Sequence, residues 1–475
     1  MRIVFAYLPM DSEKYLTLSQ CRFSAFRSDQ ELIYPMTPAM GVTLLKNEGF
    51  DVSFIDGIYE SLSEEEFLSR LKQINPELLI FEAKTPTIKQ NWRTVERIKN
   101  EIPGLKVAVV GDHISVLPKE TLENSRIDYV LTGGDFDISM LNLAKHLYGK
   151  GDLPVGTWYR ENDEIKNTGD YELVGELDTL PFIDREIIPW KRYHEAWMLH
   201  DKVMYMMGSR GCPYRCTFCS WPQMLFKKKV RQRSPRNILD EMKFLIDRYG
   251  VKEFFFDDDT FTYDKKWVFD LCNGMIEQKF NVIWGCNGRV DNCDEELLTA
   301  MKKSGCWFIK FGVESSSQYT LDRINKAYKV EDIIRTFKIA KKLRIKRHAT
   351  VMLGYPWETR QDVLNTIEFV KKLDVDTCQF SNPVVYPGTK LFEEAKENNW
   401  LRFNEGEWEK FDMSEPTLVN KEFSPKEIME ICHSAWKQIY FKPGYFFKRI
   451  KEIRNFNNIK SLYRGARSVY YKSHS

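Results

Sequence analysis

Residues 203–223 read VMYMMGSRGCPYRCTFCSWPQ, and this stretch decides how the chain is read. An apolar, strand-like run ends on Gly208 and Ser209. Cys212, Cys216 and Cys219 follow with Cys-x3-Cys-x2-Cys spacing. Three thiolates so close together can wrap one small metal cluster inside a loop. Iron–sulfur clusters are held by thiolates, usually four of them. The local motif supplies three, which leaves one iron open, as a catalytic metal site requires. A zinc site wants four ligands and paired Cys-x-x-Cys or His partners. No second Cys-x-x-Cys and no His-x3-His accompanies this one. Free structural thiols are a third reading, and they leave the spacing unexplained.

Downstream of the motif, strand-like runs alternate with helix-like ones. VMYMMGS, EFFFDDD, VIWGCNG, WFIKFGVES, RHATVML and TCQFSNPVV are the strand candidates. PRNILDEMKFLIDRYG and RQDVLNTIEFVKKL are two of the helices between them. Six βα units in a row predict a barrel, or part of one, over residues 201–395. Chemistry in such barrels sits at the carboxyl ends of the strands. The polar residues gather there: Asp257 to Asp259, Asn287, Arg289, Glu314, Ser315, Gly354, Pro356 and Tyr386.

Upstream, residues 1–148 alternate in the same way, through RIVFAYL, DVSFID, ELLIFEA, KVAVVGDH and DYVLTGGD. The helix TPAMGVTLLKNEG, closed by Gly49, and the helix NWRTVERIKNEI lie between them. This pattern predicts a doubly wound parallel sheet covered on both faces. Ligands of such sheets bind at the carboxyl ends of the strands. The turns there, Glu82–Thr87, Gly111–Ser115 and Thr132–Asp135, suit a polar cofactor, and equally they are the tight turns such a fold needs. Residues 149–200 read as a connector with a hairpin at TWYRENDEIKN and a Pro- and Asp-rich crossing at DTLPFIDREIIPW. The overall expectation is an α/β chain ending in a small α-rich extension, residues 396–475.

The 475 residues allow two or three domains at ~150 residues each. Lys and Arg total 70 against 68 acids, so there is no global reason to expect nucleic acid. The N-terminal apolar run turns charged by Asp11, too soon for a secretory signal. No stretch reaches the ~20 apolar residues of a membrane span. A cytoplasmic location is expected, where thiols stay reduced. Cys21, Cys272, Cys286, Cys293, Cys306, Cys378 and Cys432 then read as core residues rather than disulfides. From Lys437 onward ten Lys or Arg face one acid. FFKRIKEIRNF there is either a basic helix lying on anionic lipid or a solvated face. The lysines at 227–229 read as a solvated loop. Trp400, Phe403, Trp408 and Phe411 read as the core of the added region, with an apolar substrate cap as the alternative.

The cluster loop, with Phe218 as the aromatic before the last cysteine, resembles that of the radical S-adenosylmethionine (SAM) enzymes. The resemblance continues in order through FFFDDDTF, NGRVD, FGVES, MLGYPWET and YPGT. It implies a partial (βα)6 barrel whose [4Fe–4S] cluster uses Cys212, Cys216 and Cys219. SAM would chelate the fourth iron, and reduction would cleave it to a 5′-deoxyadenosyl radical. Phe218 would meet the adenine through its backbone. Asp257 and Asp258 stand where the family binds the SAM amino group, although the usual Gly-Gly-Glu is absent. Arg289 would pair with the SAM carboxylate or join an internal ion pair, and Glu314 would contact SAM or join the same kind of pair. Gly354 and Pro356 would let the backbone approach the adenine.

The amino-terminal region is similar to the cobalamin-binding domain of one branch of these enzymes, through PMTPAMGVTLLKNEGFDVSFID, VVGDHISVLP and DYVLTGGD. Gly111, His113, Thr132, Gly133 and Gly134 would contact cobalamin. The Asp-x-His-x-x-Gly motif of cobalamin mutases is missing, so His113 is expected as a loop contact and not as a cobalt ligand. CTFCSWPQ, RSPRNILDE and FFFDDDTF look nearest to the hopanoid-biosynthesis-associated radical SAM proteins. The resemblance implies methyl transfer to an unactivated carbon of a small-molecule or lipid substrate. Cyclisation, ring contraction or rearrangement is the alternative, and a non-catalytic redox scaffold a remote one. A reducing partner such as flavodoxin or ferredoxin is implied.

Overall fold

The computed structural model describes residues 1–12, 15–16, 26–27, 32–195 and 197–441. Parallel strands β1 (Arg2–Tyr7), β2 (Asp51–Asp56), β3 (Leu78–Ala83), β4 (Lys106–Gly111) and β5 (Tyr129–Leu131) form the first sheet, in the order β2-β1-β3-β4-β5. All six residues of β3, LLIFEA, are buried. A strand covered on both faces shows no apolar–polar alternation, and this one reads as a continuous run. Helices α1 (Met36–Asn47), α2 (Glu64–Ile74), α3 (Ile88–Glu101) and α4 (Phe136–Leu147) accompany the sheet. Ser63 and Glu66 close a capping box at the start of α2. Gly41 lets α1 lie close to α4, because a Cβ there would stand 2.8 Å from Met140 Cε.

The hairpin β6 (Thr157–Glu161) and β7 (Glu164–Asn167) adds two antiparallel strands beyond β5. The hairpin seen in the connector sequence therefore completes the sheet. The rest of the connector is not a bare surface crossing. Arg185 is buried at 1% exposure, donates to the Tyr205 carbonyl at 2.9 Å and lies over the Tyr34 ring. The Tyr193 hydroxyl donates to buried Asp56. The connector thus pins the first sheet to the second by buried polar contacts, which composition could not reveal.

The second sheet runs in chain order: β8 (Val203–Met206), β9 (Glu253–Phe256), β10 (Ile283–Gly288), β11 (Cys306–Glu314), β12 (Lys346–Met352) and β13 (Thr377–Ser381). Every pairing is parallel, and β8 and β13 do not pair, so the barrel is partial. Local signals set the helices between the strands. Pro235–Tyr249 starts with Pro after a Ser234 cap and stops at left-handed Gly250. The open edge is covered by helix α5 (Pro425–Tyr440), whose Tyr440 hydroxyl bonds both the N–H and the carbonyl of Cys378. Covering an edge strand this way removes a template for unwanted pairing. Phe403, Trp408 and Phe411 pack on one another as the core of the added region. Cys272, Cys286, Cys293, Cys306, Cys378 and Cys432 are free and buried, while Cys21 and residues 442–475, including the basic helix candidate, lie outside the described residues. Lys227 to Lys229 are exposed. Among the described residues no helix is long and apolar enough to cross a membrane.

At the start of the barrel the Glu253 carboxyl is fully buried and accepts from Leu199 N, His200 N and Trp307 Nε1. Burial pushes it up to about 8, against the competing pull of those donors. Between the ordinary carboxyl range and pH 8 the fold keeps this proton while the unfolded chain releases it, so stability falls as pH rises through that window. Glu253→Gln cannot ionise. Its melting temperature relative to the parent should therefore improve from about pH 5 to about pH 9. A difference that stays flat in thermal scans over that range contradicts this assignment.

Candidate functional site

The three-cysteine loop is tied off at its base. Ser209–Arg210 and Arg231–Gln232 form a two-stranded antiparallel ribbon, with Arg210 opposite Arg231. Gly211 follows at φ +87°, and a Cβ there would stand 2.0 Å from the Lys229 carbonyl oxygen, so only glycine fits. Cys212 and Cys216 are buried and Cys219 half-buried. The side-chain amide of Gln223 reaches back to the carbonyls of Cys216 (3.0 Å) and Cys219 (2.7 Å). From the barrel side, Thr217 N donates to the Ile324 carbonyl, and Leu391 N donates to that of Thr217.

The acidic end of β9 holds the same loop. Asp258 accepts from Gly208 N at 3.1 Å and from the Ser209 hydroxyl, and Asp259 accepts from Gly211 N at 3.1 Å. Burial pushes the Asp258 carboxyl up to about 6. Asp257 accepts from Asn287 Nδ2 at 2.9 Å. Two of these three acids are therefore engaged in setting the path of the backbone into Cys212.

The three thiols sit on one short loop, two of them buried and one half-buried. Among the described residues no three His, Cys, Asp or Glu side chains converge where one ion would sit. Cluster ligands bind different irons, so they need not meet at a point, whereas four zinc ligands must. Burial, and after it the Asp259 carboxylate, raises the Cys212 thiol. A thiolate in that place needs the positive charge of a metal to persist.

Beside the loop the barrel mouth carries a buried ion pair. Lys326 Nζ lies 2.7 Å from Glu314 Oε1 and 5.5 Å from the centre of the Phe218 ring. Burial would lower the Lys326 ammonium, and the Glu314 carboxylate more than offsets this and raises it. Glu314 stands at φ +61°, next to a register irregularity at the end of β11. A non-glycine residue in that region is strained, and such strain gathers at functional sites. Gly312 makes room, since a Cβ there would stand 2.8 Å from Lys326 Nζ. Arg289 binds Asp291 through two 3.0 Å contacts, donates to the Lys326 carbonyl and lies 3.5 Å from the Tyr214 ring centre. Arg289 and Glu314 thus both form the internal ion pairs that were the alternative to SAM contact. The space a Cβ would take at Gly354 is filled by Ile428 of α5, at 2.8 Å. Its N–H, like that of Tyr355, is bound by Glu358, and Pro356 beside them is half-buried.

The turns at the carboxyl end of the first sheet lie against this loop. The Gly133 N–H donates to Ser115 Oγ at 2.9 Å, and Ser115 Oγ donates to the Gly111 carbonyl. Gly111 lies too close to the Ala83 carbonyl for any side chain. Thr132 bonds the Gly156 carbonyl through its hydroxyl at 2.7 Å. Gly134 is in contact with Phe226, from the segment after the cysteines. His113 is fully buried, with Nδ1 3.2 Å from Thr85 Oγ1 and Nε2 3.3 Å from Glu120. Trp408 packs edge-on against its ring and donates to Glu120 at 2.8 Å. Lys84, missed in the sequence, is also buried here, 2.8 Å from Asp112 and over the Trp221 ring. Arg210, Arg231 and Gln223 were missed as well. Their one visible signal is that they flank the cysteines.

A doubly wound parallel sheet joined to a partial barrel with a three-cysteine loop defines the class of protein. Residues 206–370 match the Radical SAM superfamily and residues 35–136 the B12 binding domain. An uncharacterized methyltransferase of Pyrococcus horikoshii is 30% identical over 441 residues, covering 92% of this chain and 95% of the relative. An anaerobic magnesium-protoporphyrin IX monomethyl ester cyclase of Cereibacter sphaeroides is 26% identical, over 85% of this chain and 66% of the cyclase. The cobalamin-dependent SAM radical enzyme OxsB, solved with aqua-cobalamin, superposes with a TM-score of 0.70 at 15% identity, covering 99% of this chain and 71% of OxsB. The chain belongs to the cobalamin (B12)-binding radical SAM family and is an enzyme. The cofactors of that family are a [4Fe–4S] cluster, SAM and cobalamin.

Gln223→Ala deletes the amide that gathers the loop carbonyls, at roughly 1 kcal/mol per hydrogen bond. The variant should keep its circular dichroism and hold less iron and sulfide per chain after reconstitution than the parent. Equal iron content removes Gln223 from the site.

Proposed function

We propose that the enzyme transfers a methyl group to an unactivated carbon of a small-molecule or lipid substrate. Cobalamin and SAM would be held between the two sheets. The observation that carries this reading is the contact of the turns of the first sheet with the three-cysteine loop. Likeness to a methyltransferase along nearly the whole chain supports it. When bound, the cluster and SAM supply a carbon-centred radical and cobalamin carries a methyl group.

The residues would divide the work as follows. Cys212, Cys216 and Cys219 would hold three irons. Asp258, Asp259 and Gln223 would fix the loop that presents them, and burial of Cys212 and Cys216 would keep water from the cluster. Phe218 and the Glu314–Lys326 pair would border SAM, with Asp257, Arg289 and Pro356 around it and Gly354 shaping that wall through Ile428. Gly111, Thr132, Gly133 and Gly134 would form the close-packed floor of the cobalamin site, and His113 would brace it from behind. Residues 1–148 and 201–395 are proposed as the two working units, with 149–200 and 396–475 joining and covering them. A cytoplasmic flavodoxin or ferredoxin would reduce the cluster. Cyclisation without methyl transfer is the second reading, favoured by the likeness to the cyclase.

The test is anaerobic reconstitution with SAM and cobalamin. Iron and sulfide near four per chain and release of 5′-deoxyadenosine on reduction are expected. Cys216→Ala should stay folded and lose SAM cleavage entirely. Cleavage at the parent rate in that variant overturns the cluster assignment. Product mass separates the readings, since methylation adds one CH2 and cyclisation does not.

A further inference from the structure

We propose that residues 132–137, the turn after β5 together with the first two residues of α4, are a rigid coupling that positions the cluster loop from the cofactor end of the first sheet. Asp135 and Asp137 are its positioning residues and act through Arg210 and Arg231. The inference rests on the functional reading above and adds a role for Asp135, Asp137, Arg210 and Arg231, which that reading places against no cofactor.

The geometry is a clamp on both ends of the loop. Asp137 accepts two contacts from Arg210, at 3.0 and 2.6 Å. Asp135 accepts from Arg210 at 3.0 Å and from Arg231 through a pair of contacts. Because Arg210 and Arg231 are opposite each other in the ribbon, one carboxylate binds both of its strands. All four side chains are at least nine-tenths buried. Arg210 lies two residues before Cys212. Past the cysteines, Gly134 N donates to the Leu225 carbonyl at 3.0 Å. The Phe226 ring stands where a side chain on Gly134 would be, and its Cβ is 3.1 Å from the place of one on Gly211. The same turn reaches back through Ser115 Oγ to Gly111. A continuous path of contacts, half-buried at Ser115 and buried at Asp135, Asp137 and Arg210, therefore runs from the sheet turns to the residues before the first cysteine.

Forked guanidinium–carboxylate contacts fix orientation as well as distance, which apolar packing does not. A ligand that stiffens the turns at 111–115 and 132–134 restricts Arg210 through the same contacts. Coupling of this kind is reciprocal between the two sites.

Hydrogen exchange of the cluster-loaded chain, with and without hydroxocobalamin, tests this. In the parent, hydroxocobalamin should slow exchange at 111–115 and 132–137, and by roughly fivefold or more at 208–212 and 224–229. Asp137→Asn should keep the first effect and lose the second at 208–212. If Asp137→Asn does not fold, Arg231→Lys, which keeps the charge and loses the fork, should lose it at 224–229. Slowing confined to the sheet turns in the parent, or remote slowing retained in the folded variant, overturns the coupling. Failure of the functional reading looks different: the cobalamin spectrum is unchanged by the parent protein, and exchange slows nowhere.

Discussion

Two aspartates at the end of one sheet and two arginines at the base of the cysteine loop are buried together, and the geometry of the site depends on that contact. Taking four charges out of water is costly, and the attraction returns that cost only when the geometry is close and the lone pairs are filled. The contacts are close, while Arg231 Nε is left without a partner and burial still raises the Asp137 carboxyl. Asp135 is the clearest case: burial would raise its carboxyl, and the Arg210 and Arg231 guanidiniums reverse this and hold it low. Loss of one partner of a buried pair costs roughly 3–5 kcal/mol, because a charge is left uncompensated. The two halves of the molecule are thus joined by a contact that tolerates little displacement.

Other contacts hold the two sheets together from further directions. The connector inserts Arg185 between the halves instead of passing over them. The added region reaches back from Trp408 to Glu120 and His113, so the first sheet is gripped from a second direction. Helix α5 closes the side that the partial barrel leaves open and sends Ile428 toward Gly354. Asp258 and Asp259 at the end of β9, in a position that invites a ligand, are turned inward to hold the backbone before Cys212.

Much of this was legible in the sequence, where the code is local. Three cysteines at fixed spacing, apolar runs between helical patterns, and Ser-Pro to Gly punctuation around residues 235–249 each act within one element. They located both sheets, the loop and the helices near their observed bounds. The rest is written in pairs far apart in the chain. Arg210 and Asp137 are 73 residues apart, and Arg231 and Asp135 are 96 apart. A lone Arg or Asp reads as a surface residue until its partner is known. Lys326, 12 residues beyond Glu314, was hidden for the same reason, whereas the partner of Arg289 is Asp291, only two residues on, so its ambiguity lay between a neighbour and a ligand and not in distance. Gly354 shows the converse: its glycine was visible, but the side chain that fills the space beside it comes from another region.

The threading of the cysteine loop also bears on how the protein is made. Asn325 Nδ2 holds the Arg215 carbonyl from 110 residues away, and Leu391 holds Thr217 from farther still. During synthesis the three thiols leave the ribosome well before the segments that shape their loop. Contacts so distant along the chain form late in folding. The three thiols are therefore made before the segments at 325 and 391 whose contacts fix their loop.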